Sequence, residues 1–383
     1  MRRILGITVA FAVTIGLAAV PAATAASAPP PPPAVEITRF LGEQRLPHKM
    51  PYAGTTVGGL SGLDRDPRTG TWYLISDDRG RYGPARFYTG RFDIDRTTGA
   101  FTGVHLTAAN TLLRPDGSTY PPYGKPESAD PESIRYDPWT RRLLWGDEGD
   151  RPDADHPDIP LSGLYVHRAN TQGRQTDDLP MPANLRMTGT DHGPRRNFGI
   201  EGLAVTPRAI TAMTEGPRFE DGEPPTVEHG AEARLTVWDR FGGSPRAQYV
   251  YRVDPLPTAP VPPTGHTDSG VSEILAIDDH RFLALERSWL EGVGYRVKLY
   301  EIDLRGATNV LARDSLSTGG PYRAVSKHLV ADLDEVRTPV QNLESLAWGP
   351  RLRTGECTLV IGSDDNFDAE ETTQFLAFAT RTC

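Results

Sequence analysis

The stretch Asn342-Leu343-Glu344-Ser345-Leu346-Ala347-Trp348 is written more than once in this chain of 383 residues. Gly199-Ile200-Glu201-Gly202-Leu203-Ala204-Val205 repeats it, as do Val271-Ser272-Glu273-Ile274-Leu275-Ala276-Ile277 and Pro131-Glu132-Ser133-Ile134-Arg135-Tyr136. A fifth copy, Gly59-Leu60-Ser61-Gly62-Leu63-Asp64, carries Ser61 where the others have glutamate. From Ser61 through Glu132, Glu201, Glu273 and Glu344 the steps are 71, 69, 72 and 71 residues. So regular a period marks an internal repeat.

Each copy opens a similar unit: a turn, a short apolar run, then an acidic end. Trp72-Tyr73-Leu74-Ile75-Ser76 runs into Asp77-Asp78, and Arg142-Leu143-Leu144-Trp145-Gly146 into Asp147-Glu148. Ala209 to Thr214 ends in Glu215, Arg281 to Leu285 in Glu286, and Cys357 to Ser363 in Asp364-Asp365. The turns Asp66-Pro67-Arg68-Thr69-Gly70 and Asp137-Pro138-Trp139-Thr140 have the residues that reverse a chain. Strand, turn, strand is therefore expected at every copy.

No stretch has a helical period. The 38 glycines and 35 prolines punctuate short apolar or alternating runs, which predicts an all-β protein. The second to fourth repeats each read as four strands, and four-stranded sheets in series are propeller blades. Five repeats of ~70 residues, longer than common blade repeats, predict five blades, or six if one hides in an insertion. The last repeat supplies three strands. A strand within Val35 to Leu46 is expected to complete it and close the ring, removing open edges.

The first 28 residues read as a secretory signal: Arg2 and Arg3, an apolar run from Ile4 to Val20, then Ala-x-Ala sites. An uncleaved membrane anchor is the alternative. Residues 29–34 form a proline-rich leader and 35–383 one propeller domain, expected outside the cell, off the membrane and monomeric. The net charge of −9, or −11 without Arg2 and Arg3, argues against nucleic acid or anionic membrane as partner. Cys357 and Cys383 are expected to pair, since an exported chain favours disulfides; two free buried thiols are the alternative.

In a propeller the first strand of each blade lines the channel, with the repeated glutamate at its start. Glutamates gathered round one axis either take up protons or share a cation. Outside the cell the available hard cation is Ca2+, which takes six to eight oxygens. Glu132, Glu201, Glu273 and Glu344, with Asn197, Asn342 and Asp364, are the candidate ligands; glutamates that merely cap their own blades are the alternative. Asp77, Asp78, Asp147, Glu148, Asp364 and Asp365 form a second acidic set, expected at the opposite strand end. Arg79, Arg135 and Arg287 are candidates to hold an anion, because the guanidinium fork matches oxyanions; salt bridges to the same acids are the bland reading. Metal and arginine together suit ester hydrolysis. No Gly-x-Ser-x-Gly elbow is present; Gly59-Leu60-Ser61-Gly62-Leu63 lacks the last glycine.

Several blocks resemble the phytase-like family described as having esterase-like activity. They are Gly59 to Asp64 with Trp72 to Arg79 and Ala85-Arg86-Phe87-Tyr88, Pro131 to Arg135, and Asn197 to Ala204. Phe282 to Ser288, Leu299 to Leu304, Asn342-Leu343-Glu344 and Ser363-Asp364-Asp365-Asn366-Phe367 follow in order. The resemblance implies a secreted propeller that hydrolyses phosphate or carboxylic esters of small molecules, and calcium dependence is implied by the propeller phytases. With the residues, it sets the expectation of a Ca2+-assisted hydrolase with Asp77, Asp78, Arg79, Arg135 and Arg287 in the reaction. A lactonase or sugar-acid hydrolase and a non-catalytic scaffold are the alternatives.

Overall fold

The computed structural model describes residues 35–241, 243–336 and 338–383. The expected signal 1–28 and leader 29–34 lie outside the described residues. β1 (Ile37–Arg45) precedes a small hairpin of β2 (Met50–Tyr52) and β3 (Thr55–Val57). The first sheet is β4 (Gly62–Arg65), β5 (Trp72–Ser76), β6 (Arg86–Ile94) and β7 (Phe101–Thr111). The second is β8 (Pro131–Asp137), β9 (Arg142–Asp147), β10 (Tyr165–Ala169) and β11 (Gln175–Asp178). The third is β12 (Ile200–Val205), β13 (Ala209–Thr214), β14 (Ala231–Asp239) and β15 (Pro245–Val253). The fourth is β16 (Thr267–Ala276), β17 (Arg281–Leu290), β18 (Gly294–Asp303) and β19 (Ser326–Asp332). The fifth joins β20 (Asn342–Trp348), β21 (Cys357–Asp364) and β22 (Gln374–Thr380) to β1 at its outer edge. Five antiparallel four-stranded sheets make a five-bladed propeller, and the described residues hold no sixth blade.

The local sequence explains each inner hairpin. Asp66 accepts hydrogen bonds from the backbone N–H of Arg68 (2.9 Å), and its carbonyl from that of Gly70 (2.9 Å). Gly70 sits at a φ of 79°, a conformation that suits glycine. Asp137 accepts from the N–H of Trp139 (2.9 Å) and Thr140 (3.2 Å), and Asp278 from those of His280 and Arg281 at 2.8 Å. These carboxylates satisfy the turn donors that the strand ladders leave over.

Five apolar layers hold the blades together, one between each neighbouring pair. Ile75, Phe87, Ile134 and Leu143 join the first and second sheets; Leu144, Val166, Leu203 and Ile210 the second and third. Met213, Leu235, Ile274 and Ile302 join the third and fourth; Leu283, Leu299, Leu346 and Ile361 the fourth and fifth. Trp72, Leu74, Val360 and Phe375 join the fifth to the first. Both faces of a blade are thus covered, which is why strands such as β8 and β13 are buried along their whole length. Each fully buried Leu or Ile contributes roughly 1.5–3 kcal/mol.

The inner strands β4, β8, β12, β16 and β20 pack on one another in order, and β20 returns to β4. Their approach is close: a Cβ on Gly202 would lie 2.9 Å from the Ile274 nitrogen. Cys357 and Cys383 are bonded, with Cα atoms 5.9 Å apart, tying the chain end to the start of β21. Among the described residues no helix is long and apolar enough to cross a membrane.

Candidate functional site

Antiparallel pairing puts the start of each inner strand beside the end of the next. Pro131 at the start of β8 faces Asp147 at the end of β9, and Asn342 faces Asp364. The two acidic sets therefore meet at one mouth of the ring. The expectation that they occupy opposite ends is corrected by this register. A cavity of ≈340 Å3 opens there, lined by residues of both sets.

The glutamates enter it through a bulge. The ladder slips between Pro131 and Ser133, between Ile200 and Gly202, and between Leu343 and Ser345. The residue left over is Glu132, Glu201 or Glu344, and a bulge re-aims the side chain it frees. In the fourth blade the slip lies between Val271 and Glu273, so the freed residue is Ser272. The first ring is thus Ser61, Glu132, Glu201, Ser272 and Glu344, three glutamates rather than four. The Oγ of Ser272 donates to the Leu343 carbonyl (3.0 Å) and that of Ser61 to the Pro131 carbonyl (3.3 Å), each tying one blade to the next.

Glu273 does not reach the mouth. One residue along a strand turns the side chain to the other side. Glu273 instead accepts the backbone N–H of Leu203 (2.9 Å) and Ile274 (2.8 Å) and meets Arg135 at 2.6 Å. Arg135 also lies away from the mouth. Its guanidinium donates to the carbonyls of Leu63 (2.5 Å), Leu203 (2.5 Å) and Ile274 (2.8 Å), on three blades other than its own. The structure makes this arginine a peg across the channel, not a group facing the cavity.

The second ring is Asp77, Glu148, Glu215, Arg287 and Asp364, one from each blade, and all five line the cavity. Their neighbours point away by the same alternation. Asp78 pairs with the buried Arg86, so it too is removed from the candidate site. Asp147 accepts the N–H groups of Asp130 (3.1 Å) and Gly149 (3.0 Å), and Asp365 those of Gly59 (2.9 Å) and Phe367 (3.2 Å). Asn197 and Asn342 line the cavity, as do Arg79 and Arg287. Arg79 lies 2.7 Å from Asp130 and 3.6 Å from Glu148. Arg287 contacts Asp268 (2.6 Å), Glu215 (2.8 Å) and Glu344 (3.5 Å). Glu148 belongs to the expected second acidic set, whereas Glu215, Asp130, Asp268, Trp289 and Tyr295 were not among the candidates. Aligning the repeats on Leu63, Ile134, Leu203, Ile274 and Leu346 instead of on the glutamates places Ser272, not Glu273, in the first ring.

Burial and mutual repulsion favour the protonated form of carboxylates so packed. Burial raises Glu132, Glu201, Glu215, Asp77 and Asp364 well above the usual range, and neighbouring carboxylates add to it. Burial pushes Asp130 to about 6, Glu344 to about 7 and Glu148 to about 8, with Arg79 and Arg287 pulling the other way. A cation relieves the same repulsion. Asp130, Glu132 and Glu148 each offer an oxygen within 4.8 Å of the other two; so do Glu148, Glu201 and Glu215. Glu148 is common to both groups. The buried Oδ1 atoms of Asn342 and Asp364 have no hydrogen-bond partner among the described residues. An all-oxygen set with lone pairs to spare fits a hard cation such as Ca2+.

A family model described as phytase-like, esterase-like activity of phytase, matches residues 55–367. No curated protein matches the chain. Similar solved structures include the Dos1 propeller, 9% identical, with a TM-score of 0.32 over 83% of this chain and 67% of that one. A putative oxidoreductase (glucose dehydrogenase) from Thermus thermophilus is 15% identical, with a TM-score of 0.35 over 84% and 85%. A protein of unknown function from Dyadobacter fermentans is 11% identical, with a TM-score of 0.36 over 87% and 78%.

Proposed function

Because the chain belongs to the phytase-like family with esterase-like activity, we propose that its acidic mouth hydrolyses phosphate or carboxylic esters of small molecules with the help of Ca2+. The observation that carries this reading is Glu148, shared by two three-carboxylate groups at one cavity. Without cations the mouth repels an anionic ester. Asp130, Glu132, Glu148, Glu201 and Glu215 would hold the cation. Bound there, Ca2+ supplies positive charge to the ester oxygens and lowers the pKa of a bound water.

The chain's own groups do the rest. Glu344, near neutrality at about 7, takes the proton of the attacking water. Arg79 and Arg287 line the cavity and would present N–H groups to the substrate oxyanion. Asn342 and Asn197 orient the water and the ester by their amide groups. We further read 1–28 as a cleaved signal and the mature protein as a secreted monomer, in keeping with its disulfide.

The test is turnover of p-nitrophenyl phosphate and p-nitrophenyl acetate by EDTA-stripped protein before and after Ca2+ is restored. Calcium-dependent release of p-nitrophenol supports the reading. Lactone opening without either release would make the protein a lactonase, and no turnover on any of these would make it a scaffold.

A further inference from the structure

The acidic mouth has a side chamber. Trp289, Tyr295, Asp368 and Glu371 line the mouth and also a second cavity of ≈720 Å3 beside it. Trp289 at the end of β17 and Tyr295 at the start of β18 are directly opposed partners in one hairpin. Directly opposed residues project to the same face of a sheet, so two rings stand together where the cavities join. Tyr295 is fixed there: its hydroxyl donates to Glu371 at 2.5 Å, and Glu371 also accepts from Asn366 at 2.9 Å. Trp289 is half-buried.

The chamber's charge is as telling as its rings. Asp334, Asp368, Glu370 and Glu371 line it, and Arg296 is the one cation among its described lining residues. Arg296 is already paired with Asp334 at 3.3 Å. A second phosphate or carboxylate would therefore meet carboxylates with no spare positive charge. A neutral ring bearing hydroxyls meets what it needs: acceptors for its O–H groups and an aromatic face for its C–H face.

We propose that this chamber is the leaving-group subsite, and that it takes a sugar ring as the alcohol half of the ester. The proposal rests on the hydrolase reading and names its substrate class: sugar monoesters rather than polyphosphates. On hydrolysis the water oxygen ends on the phosphoryl or acyl group, the ester bond to the sugar oxygen breaks, and that oxygen takes the proton. The ring then leaves through the wider chamber.

Two measurements separate the subsite from the reaction. The first is kcat/KM with Ca2+ for glucose 6-phosphate, ethyl phosphate and inositol hexakisphosphate. Glucose 6-phosphate is expected to lead both others. Trp289→Ala should lower its kcat/KM roughly 10-fold more than that of ethyl phosphate, and Trp289→Tyr should restore most of the difference. The second needs no turnover: the tryptophan fluorescence change on adding methyl glucoside, present in the wild type and lost in Trp289→Ala. A fluorescence change without any ester turnover would sink the hydrolase reading and keep the sugar subsite. Turnover with equal losses on both monoesters, or a fluorescence change that survives Trp289→Ala or never appears, would overturn the subsite.

Discussion

Arg135 meets Glu273 at 2.6 Å in the middle of the propeller, and both side chains are buried. Arg135 comes from the second blade and Glu273 from the fourth. The arginine also bonds carbonyls of the first and third blades, and the glutamate accepts a backbone N–H of the third. One ion pair thus fastens four of the five inner strands, on the far side of the inner ring from the chemistry.

Removing half of this pair leaves a buried charge uncompensated. Arg135→Met is expected to destabilise the protein by about 3–5 kcal/mol, read as a lower urea midpoint. Glu273→Gln keeps an acceptor for Leu203 and should be milder. Loss of catalysis in Arg135→Met without loss of stability would instead place the arginine in the reaction.

Stability of the cation-free protein should fall as pH rises. Asp130, Glu344 and Glu148 titrate near 6, 7 and 8 in the folded protein, against about 4 in the unfolded chain. Between those values the folded state binds more protons, so their contribution is full below about pH 4 and is lost through pH 8. In EDTA the melting temperature should be higher at pH 5 than at pH 8. Calcium should close most of that gap, because it replaces the protons. A flat EDTA profile would contradict the packing of the carboxylates.

Glu201 and Glu344 should respond differently to the same change. Glu201 belongs to a three-carboxylate group and Glu344 does not. Glu201→Gln is therefore expected to lose both the calcium-dependent rise in melting temperature and turnover. Glu344→Gln should keep the rise and lose turnover by 100-fold or more, on the order of one general base. Identical behaviour of the two variants would remove the distinction between ligand and base.

The disulfide closes a separation of 26 residues. Reducing it, or changing both cysteines to serine, should cost roughly 3 kcal/mol. Turnover at 25 °C should persist, since Cys357 begins β21 at the strand end away from Asp364.

The repeat made most of the fold legible. The apolar runs that begin at Arg142 and Ala209 become β9 and β13, because Asp137, Thr206 and Pro207 mark the turns beside them. β19 follows a long loop, and no periodicity in the sequence distinguishes the strand from it. The site was harder to read for a geometric reason. In a strand one residue decides which side a group faces. Aligning on the acids put Glu273 in the ring that Ser272 occupies, and treating Asp77 and Asp78 as a pair hid that one faces the cavity and the other Arg86. Nothing local to Arg135 says that it crosses the axis. The opposed Trp289 and Tyr295 become a pair only when the β17–β18 register is known.

The central claim is that the carboxylates around Glu148 bind a divalent cation. Calorimetric titration of Ca2+ into EDTA-stripped protein at pH 7.5, beside Glu148→Gln, tests it most directly. The account predicts saturable binding with proton release in the wild type and a stability gain of about 2.7 kcal/mol at 100 times the Kd. It predicts that Glu148→Gln loses both, since one substitution spoils both groups. No binding heat in the wild type, or the same isotherm in Glu148→Gln, would contradict it.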